Sequence, residues 1–382
     1  MKLIVLGSGL MGPAAAYIGL KDPQVSQVTL CDRDEEQLAA AQARLADKPG
    51  VEKLRLRRLD LADRDAAAAL LAEHDAGVGA LPRAVIPLAV EAAAQARRPW
   101  IDLSTPPGET ISRLRKLVEE AGILAIPGCG VEPGLTEIMA RRAAEELDRV
   151  DELHIKCGGI PERPTGPLGY KIVFGGRRLP LRDWPAHYVA DGRLMETARY
   201  SGVETFTVPG LGEVEAWHEG FKSSLLDLDA FKNLRFGAQK TVRWPGYAAK
   251  VSVLRELGLL GEAPVDVDGV PVIPKHVVDA VLYPHVRMEE GDRDVTVFRV
   301  EAVGERAGRP HRVCIDMLDR YDEATGFTSM ARVTAFTGAI VALMAARGEI
   351  QVTGWLEAEK VIYGPLRERL EEALAAEGVE FV

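Results

Sequence analysis

Three glycines in the stretch LGSGLMG, residues 6–12, have the spacing of a loop that binds a phosphate group. Gly7 would allow a tight turn after an apolar strand, Gly9 would let the backbone approach a pyrophosphate, and Gly12 would let a helix lie close to the strand. The N-terminus of that helix would then face the anion. Because the same spacing occurs by chance in flexible turns, the surrounding elements must decide between these two interpretations.

An acidic residue at the end of the second predicted strand favours a bound dinucleotide. Asp32 follows Gly12 by about 20 residues, where a carboxylate can accept hydrogen bonds from a ribose diol. The same carboxylate would repel a 2′-phosphate, so the sequence predicts NAD. Arg33 keeps NADP possible, because an arginine beside this position can stack on adenine or pair with a phosphate.

Further positions after the predicted strands are expected near the same cofactor. Asp60 follows the third strand, where it either lies near the adenine or forms a turn. Leu81 and Pro82 follow the fourth strand, and Gly130 lies in a loop after the sixth strand, which is expected beside the nicotinamide. The complete set of predicted cofactor residues is Gly7, Gly9, Leu10, Met11, Gly12, Asp32, Arg33, Asp60, Leu81, Pro82 and Gly130.

The elements that must position this loop alternate between strand and helix patterns. This alternation predicts an α/β fold, a Rossmann doubly wound parallel sheet. The predicted strands cover residues 2–6, 25–31, 54–59, 76–80, 100–103 and 124–126, and the predicted helices cover residues 11–20, 35–46, 65–73, 85–96 and 111–121.

After residue 126 the pattern changes to strands with few helices between them, which predicts a second α+β domain with a largely antiparallel sheet. We expect a Rossmann domain over residues 1–127, a substrate-binding and dimerisation domain over 128–328, and C-terminal helices over 329–382 that return to the Rossmann domain. The predicted strands cover residues 152–157, 170–174 and 204–208 and a hairpin of 295–304 with 311–320. The predicted helices cover residues 135 to about 147, 248–259, 330–346 and 357–377.

Composition limits the class of protein. The 382 residues carry a formal net charge of −10, which argues against binding to nucleic acid or to an anionic membrane surface. No uninterrupted apolar run reaches the roughly 18 residues that a membrane-spanning helix requires. The four cysteines form no Cys-x-x-Cys pair, which is typical of reduced thiols in a cytoplasm. We therefore expect a cytoplasmic protein that binds small molecules.

Several longer phrases of the sequence are similar to one protein family over nearly the whole chain. They include CDRDEEQL, WIDLS, PGCGVEPGLTEIMA, GPLGYKIVF, VPGLGEVEAW, TVRWPGYAAK and ARVTAFTGAIVALMA, besides LGSGLMG. Together they resemble the saccharopine dehydrogenase-like family, and within it most the L-lysine 6-dehydrogenases. The resemblance implies a nicotinamide-binding Rossmann domain, an inserted domain for dimerisation and substrate binding, and a homodimer. It also implies oxidative deamination of the lysine side-chain amine with NAD.

Oxidation at an amine-bearing carbon requires a neutral nitrogen, and hence a proton acceptor. Glu132 could act as an acid or as the partner of a cation, or it could be a solvated loop residue. Tyr170 and Lys171 are neighbours in a predicted strand, so their side chains should point to opposite faces. Tyr170 shares its face with Ile172 and Phe174, which suggests core. Lys171 is therefore the preferred base, because a desolvated lysine beside a positive nicotinamide can lose its proton; an exposed strand lysine is the alternative.

Arg243, in TVRWPGY, is the predicted anchor for a substrate carboxylate, because a guanidinium binds a carboxylate through two parallel hydrogen bonds. A surface salt bridge is the alternative. Tyr247 and Lys250 lie nearby in the sequence and are predicted to contact the substrate, although Lys250 could simply be solvated. The sequence has no group of His, Asp and Glu at metal-ligand spacing, so no metal is predicted.

The sequence departs from the lysine enzymes in two places, and these departures leave other functions open. Arg177, Arg178 and Arg182 stand where those enzymes tend to be acidic, and Tyr247 stands for their usual histidine. The arginines would suit a substrate with extra carboxylates, as in an enzyme that makes saccharopine- or carboxynorspermidine-like opines by reductive condensation. A third hypothesis is a non-catalytic dinucleotide-binding sensor, which would bind cofactor without turnover of any amine.

Overall fold

A computed structural model describes residues 1–174 and 176–382. In it the chain forms two compact units, each built from separate stretches of sequence. The first unit contains Met1–Ile138, Asp322–Phe327 and Ala331–Glu380, and the second contains Met139–Tyr321, Thr328–Met330 and Phe381–Val382. The domain boundaries expected at 127/128 and 328/329 stay predictions. The loop after residue 127 is packed within the first unit, where a Cβ on Gly130 would lie 2.8 Å from the carbonyl oxygen of Leu103.

The bounds of the regular elements are as follows. The strands are β1 (Lys2–Leu6), β2 (Gln27–Asp32), β3 (Leu54–Arg58), β4 (Ala76–Gly79), β5 (Trp100–Asp102), β6 (Leu124–Ile126), β7 (Arg149–Pro161), β8 (Ala186–Ala190), β9 (Arg193–Thr197), β10 (Glu204–Val208), β11 (Gly212–His218), β12 (Phe236–Arg243), β13 (Val265–Val267), β14 (Val270–Val272), β15 (Asp294–Arg306), β16 (Arg309–Arg320) and β17 (Gly354–Trp355). The helices are α1 (Gly12–Lys21), α2 (Glu35–Leu45), α3 (Arg64–Ala72), α4 (Ile86–Ala96), α5 (Gly108–Ala121), α6 (Leu135–Glu145), α7 (Tyr247–Glu256), α8 (Pro274–Val286), α9 (Ser329–Ala346), α10 (Ala358–Val361) and α11 (Pro365–Ala375).

The first unit contains a seven-stranded parallel sheet in the order β17-β6-β5-β4-β1-β2-β3. Its central strands β1 and β4 are almost wholly buried, as expected for a parallel sheet that helices cover on both faces. This order confirms the predicted Rossmann sheet. Strand β17 was not predicted, because two residues are too few to show the alternation of apolar and polar side chains that identifies a strand.

The second unit contains a mixed sheet in the order β10-β11-β12-β7-β15-β16, with β8 and β9 attached to β12. Among the described residues, only the pair of β12 and β7 in this sheet is parallel, so the prediction of a largely antiparallel second sheet is confirmed. The predicted hairpin corresponds to β15 and β16. Strands β8, β9, β11, β12, β13 and β14 were not predicted.

Two sequence predictions about local structure are wrong. Residues 170–174 form no strand: Tyr170 and Ile172 pack against side chains of α7 and α8, and the segment pairs with no strand. The helix predicted over 357–377 is two helices, α10 and α11, because Gly364 and Pro365 interrupt it.

Helix α9 is long and apolar enough to cross a membrane by length and composition alone. Within the structure, however, 83% of it is buried, which is also typical of the central helix of a folded core. Its first residues are held by Asp294 at the start of β15, whose two carboxylate oxygens accept hydrogen bonds from the backbone N–H groups of Ser329 and Met330 at 2.7 and 2.9 Å.

Candidate functional site

The glycine loop between β1 and α1 is built around close backbone contacts. Gly7 has φ +96°, and a Cβ there would lie 2.3 Å from the carbonyl oxygen of Ala80. A Cβ on Gly12 would lie 2.0 Å from the carbonyl oxygen of Gly7. Both positions therefore require glycine for the loop to fold at all.

Gly9 differs from the other two glycines, because a Cβ there would meet nothing within 4 Å and the residue is exposed. Helix α1 begins beside it without a side-chain cap at Met11 and with a proline in its first turn. Backbone N–H groups at an uncapped helix start attract an anion. The loop thus offers an open, electropositive cradle that fits a pyrophosphate, with Leu10 and Met11 half-exposed at its side.

Asp32, at the end of β2, is tied to this loop by a residue that the sequence analysis missed. Its Oδ2 accepts hydrogen bonds from the backbone N–H of Ser8 at 2.8 Å and from the Ser8 hydroxyl at 3.0 Å. Its Oδ1 accepts from the backbone N–H of Asp34 at 3.1 Å. A small polar residue inside the glycine motif, facing the end of β2, was the available signal for this contact.

Beyond Asp32, a surface cavity of about 570 Å³ lies along the ends of β2 and β3. Arg33, Arg58 and Asp60 line it. The Arg58 Nε donates to the backbone carbonyl of Arg33 at 3.3 Å, while the Asp60 Oδ1 caps a turn by accepting from Ala62. The structure therefore brings the predicted Arg33 and Asp60 together and adds Arg58. A cavity with arginine planes in this place suits an adenosine moiety.

The other predicted cofactor positions lie along the same edge of the parallel sheet. Leu81 packs beside Gly7, where its Cδ2 would lie 3.4 Å from a Cβ on that glycine, and Pro82 is exposed. Gly130 is buried in the loop after β6, which its own backbone closes through a bond from the Gly130 N–H to the carbonyl of Pro133 at 3.0 Å. Glu132 lies half-buried in this loop.

The second unit contains a buried group of one arginine and four aromatic rings, which we call the Arg243 cluster: Arg243, Tyr170, Tyr247, Trp217 and Tyr200. The Arg243 guanidinium lies 4.7 Å from the ring centre of Tyr170 and 5.6 Å from that of Tyr247. Trp217 stacks on Tyr247 with centroids 6.2 Å apart, and Tyr200 lies 4.6 Å from Trp217. All five side chains are at least 95% buried, since the most exposed of them, Arg243, is 5% exposed.

Three donors in this cluster lack a hydrogen-bond partner among the described residues: the Arg243 Nε, the Tyr170 hydroxyl and the Trp217 Nε1. The Arg243 Nη1 donates to the carbonyl of Val242 at 2.7 Å, and the guanidinium also interacts with the hydroxyls of Tyr170 and Tyr247. A buried donor without an acceptor is costly, so these three groups could pair with the acceptors of a bound molecule. Burial raises the pKa of the hydroxyls of Tyr170 and Tyr247, so both rings stay neutral donors near neutral pH.

Two other arginines lie close to the cluster and share one carboxylate. Arg182 and Arg199 both form salt bridges to Glu219, the first at 2.8 Å. Arg182 belongs to the arginine-rich segment that the sequence analysis singled out. Of its companions there, Arg177 stacks over the Tyr283 ring at 5.7 Å and Arg178 is exposed.

The structure does not bring all predicted second-unit residues into this cluster. The Lys171 Nζ lies 3.1 Å from the Asp292 carboxylate and donates to the carbonyl of Arg287 at 3.0 Å. The Lys250 side chain projects from the exposed face of α7 and donates to the carbonyl of Pro167 at 2.9 Å. Tyr170 and Lys171 thus point apart, although not for the predicted reason of strand alternation.

These features define a class of protein: a Rossmann unit with a dinucleotide cradle, followed by a mixed-sheet unit with a buried cationic site. The chain belongs to the saccharopine dehydrogenase family. Residues 3–126 match the saccharopine dehydrogenase NADP binding domain, and residues 130–375 match the saccharopine dehydrogenase C-terminal domain.

Similar proteins share modest sequence identity. The chain is 25% identical to the mitochondrial alpha-aminoadipic semialdehyde synthase of Bos taurus, over 100% of this chain but 47% of that protein. It is 24% identical to carboxynorspermidine synthase of Vibrio alginolyticus, over 82% of this chain and 80% of that protein. The chain therefore spans about half the length of the semialdehyde synthases that it matches.

Among solved structures, apo saccharopine dehydrogenase (L-Glu forming) from Saccharomyces cerevisiae has the same fold. The TM-score is 0.80 at 18% sequence identity, over 100% of this chain and 98% of that chain. At this level of identity the likeness concerns the fold.

Proposed function

We propose that this protein is an NAD(P)-dependent oxidoreductase that oxidises an amino-acid substrate at a carbon bearing an amine, with the substrate carboxylate bound by Arg243. The observation that carries the proposal is the buried Arg243 guanidinium: among the described residues its Nε has no hydrogen-bond partner, and neither do the Tyr170 hydroxyl and the Trp217 Nε1 of the same cluster. A carboxylate supplies acceptors to such donors and compensates the buried positive charge.

The cofactor part of the proposal rests on the first unit. The Gly9 cradle and the uncapped start of α1 would bind the pyrophosphate, and Asp32 would accept hydrogen bonds from the adenosine ribose. A bound nicotinamide dinucleotide supplies the hydride acceptor. We further propose a preference for NAD over NADP, since the Asp32 carboxylate would repel a 2′-phosphate; Arg33 and Arg58 would bind the adenine side of either dinucleotide.

The finer proposal for the substrate is L-lysine, oxidised at its side-chain amine as in L-lysine 6-dehydrogenases. Its support is the resemblance of the central sequence phrases to those enzymes. A second candidate is an N-linked amino acid of the saccharopine type. One specific observation favours it: around the Arg243 cluster the three guanidiniums of Arg182, Arg199 and Arg243 outnumber the carboxylates of Glu215 and Glu219, which suits a substrate with more than one acidic group.

The test is reduction of NAD and of NADP, followed at 340 nm, with lysine, ornithine, diaminopimelate and saccharopine at mildly alkaline pH. Turnover of lysine alone would support the finer proposal, and turnover of saccharopine alone would support the second candidate. Arg243→Met should lower kcat/KM by about 30- to 4000-fold, since removing one partner of a buried charge pair costs about 2–5 kcal/mol. Arg309→Met, on an exposed hairpin, is the matched control. Cofactor binding without turnover of any amine would instead support a dinucleotide sensor.

The proton acceptor stays a prediction, with Lys171 preferred; Glu132, which the sequence predicts as an acid or as the partner of a cation, is a second candidate that we add here. The contact of Lys171 with Asp292 is equally compatible with a structural ion pair. Lys171→Met should abolish turnover and leave the Kd for NAD unchanged if Lys171 is the base. Wild-type kcat in that variant would exclude Lys171, and the same measurement on Glu132→Gln would then test the alternative.

A further inference from the structure

A buried carboxylate links strand β11 to the start of helix α7. Glu215, on β11, is 4% exposed and lies directly opposite Arg243 in the register of β11 and β12. Its Oε2 accepts a hydrogen bond from the backbone N–H of Gly246 at 2.7 Å, and its Oε1 accepts from the backbone N–H of Ala248 at 2.6 Å. Both oxygens of the carboxylate are therefore used by the chain just after Arg243.

These two hydrogen bonds lie on either side of Tyr247. The corner before α7 turns at Gly246, which has φ +90° and offers no side chain to cap the helix. Glu215 performs that function from a neighbouring strand. Trp217, two residues further along β11, shares a face with Glu215 and stacks on Tyr247 with an interplanar angle of 4°. One carboxylate thus fixes Tyr247 relative to both Arg243 and Trp217.

We propose that Glu215 is a positioning residue for the substrate site: through the backbone of Gly246 and Ala248 it sets the place of the Tyr247 ring against the Arg243 guanidinium. This proposal rests on the proposed function, in which Arg243 binds the substrate carboxylate. An anion suits the position because two N–H donors and the positive end of the α7 dipole converge there. An amide can accept only one of the two bonds and would turn its NH2 group towards the other donor.

A purely structural role for Glu215 makes a different prediction from a positioning role. If Glu215 only stabilised the second unit, its removal would lower the midpoint of thermal unfolding and leave the KM for substrate unchanged. If it positions Tyr247 and Arg243, the KM for the amino acid rises more than kcat falls, because carboxylate binding is weakened in the ground state and the transition state alike. The KM for the dinucleotide, which the first unit binds, stays constant in either case.

The experiment compares Glu215→Gln and Glu215→Ala with Glu213→Gln, an exposed glutamate on the same strand. We expect the KM for the amino acid to rise by about tenfold in Glu215→Ala, which corresponds to the loss of one charged hydrogen bond between Arg243 and the substrate carboxylate. The rise should be smaller in Glu215→Gln. We expect kcat to change less than about threefold, and Glu213→Gln to match wild type. A KM within about twofold of wild type in Glu215→Ala, with a lowered unfolding midpoint, would overturn the proposal.

A spectroscopic measurement separates this proposal from the proposed function. The stacked rings of Trp217 and Tyr247 should contribute to the near-UV circular dichroism of the folded protein, and Glu215→Ala should reduce that signal while the far-UV spectrum is retained. If the wild-type protein oxidises none of the amino acids, the proposed function fails. The near-UV spectrum then tests by itself whether Glu215 positions Tyr247. An unchanged near-UV spectrum in Glu215→Ala would then refute the positioning of Tyr247.

Discussion

Replacement of Asp32 by asparagine should change the choice between the two nicotinamide dinucleotides. The change removes a negative charge at the end of β2 but keeps a carbonyl oxygen, which can still accept the hydrogen bond from the backbone N–H of Ser8, 2.8 Å from the present Oδ2. The glycine loop should therefore stay folded. What is lost is the charge that would strengthen hydrogen bonds from the ribose hydroxyls of NAD.

The substitution should weaken the binding of NAD and strengthen the binding of NADP. A hydrogen bond to a charged acceptor contributes about 1.5–3 kcal/mol, so its weakening should raise the Kd for NAD by about 10- to 100-fold. The Kd for NADP should fall instead, because the substitution removes a repulsion from its 2′-phosphate. Two like charges about 4 Å apart near a protein surface repel by about 4 kcal/mol, and part of that repulsion, screened because Asp32 is half-exposed, is removed. The ratio of the two dissociation constants should thus shift by at least about 100-fold towards NADP.

The assay is a titration of each dinucleotide against the purified variant, followed by the quenching of protein fluorescence or by calorimetry. Asp60→Asn is the matched control, because it removes a carboxylate from the neighbouring cavity without touching Ser8, and it should shift the ratio much less. A ratio for Asp32→Asn within about twofold of wild type would refute the assignment of Asp32 to the ribose. It would also remove the physical basis for a preference for NAD.

Two further predictions concern the first unit. Gly9→Ala should leave the free energy of unfolding within about 0.5 kcal/mol of wild type but weaken NAD binding at least about tenfold, whereas Gly12→Ala should lower the midpoint of chemical unfolding because its methyl group has no room beside the carbonyl of Gly7. Equal effects of both on stability would contradict the open cradle. Burial, opposed by the hydrogen bond from the Trp100 Nε1, raises the pKa of the Asp102 carboxyl well above its usual range. The folded chain then keeps a proton on Asp102 that the unfolded chain releases near pH 4. The free energy of unfolding is therefore unaffected below about pH 4 and falls as the pH rises above it, by up to about 1.4 kcal/mol per pH unit. Asp102→Asn should therefore be more stable than wild type at pH 8 and equal to it at pH 4 in urea unfolding; an equal difference at both pH values would contradict a protonated Asp102.

The sequence predicted the first unit well because its signals are local. The turn, the close approach and the helix start of the glycine loop lie within residues 6–12, and each follows from the chemistry of one glycine. The second unit gave weaker signals, since several of its strands, such as β8 and β9, have only five residues and follow irregular loops. The segment at 170–174 was predicted as a strand from its apolar alternation, but in the fold its buried side chains pack against α7 and α8 and it pairs with no strand.

The Arg243 cluster shows why a candidate substrate site is harder to predict than a cofactor loop. Arg243 and Tyr247 could be identified from one phrase of the sequence. The residues that surround them, 170, 200 and 215–217, come from distant parts of the chain, and only the tertiary fold brings them together. Glu215 looks like an ordinary polar residue of an alternating strand, and nothing local distinguishes it from exposed Glu213. The difference arises because Glu215 faces the start of α7, where two N–H donors have no other acceptor supplied by the helix cap. Residues of this kind can be recognised from a sequence only once the pairing of the strands is known, since a shift of one residue in the register would turn Glu215 to the opposite face of the sheet.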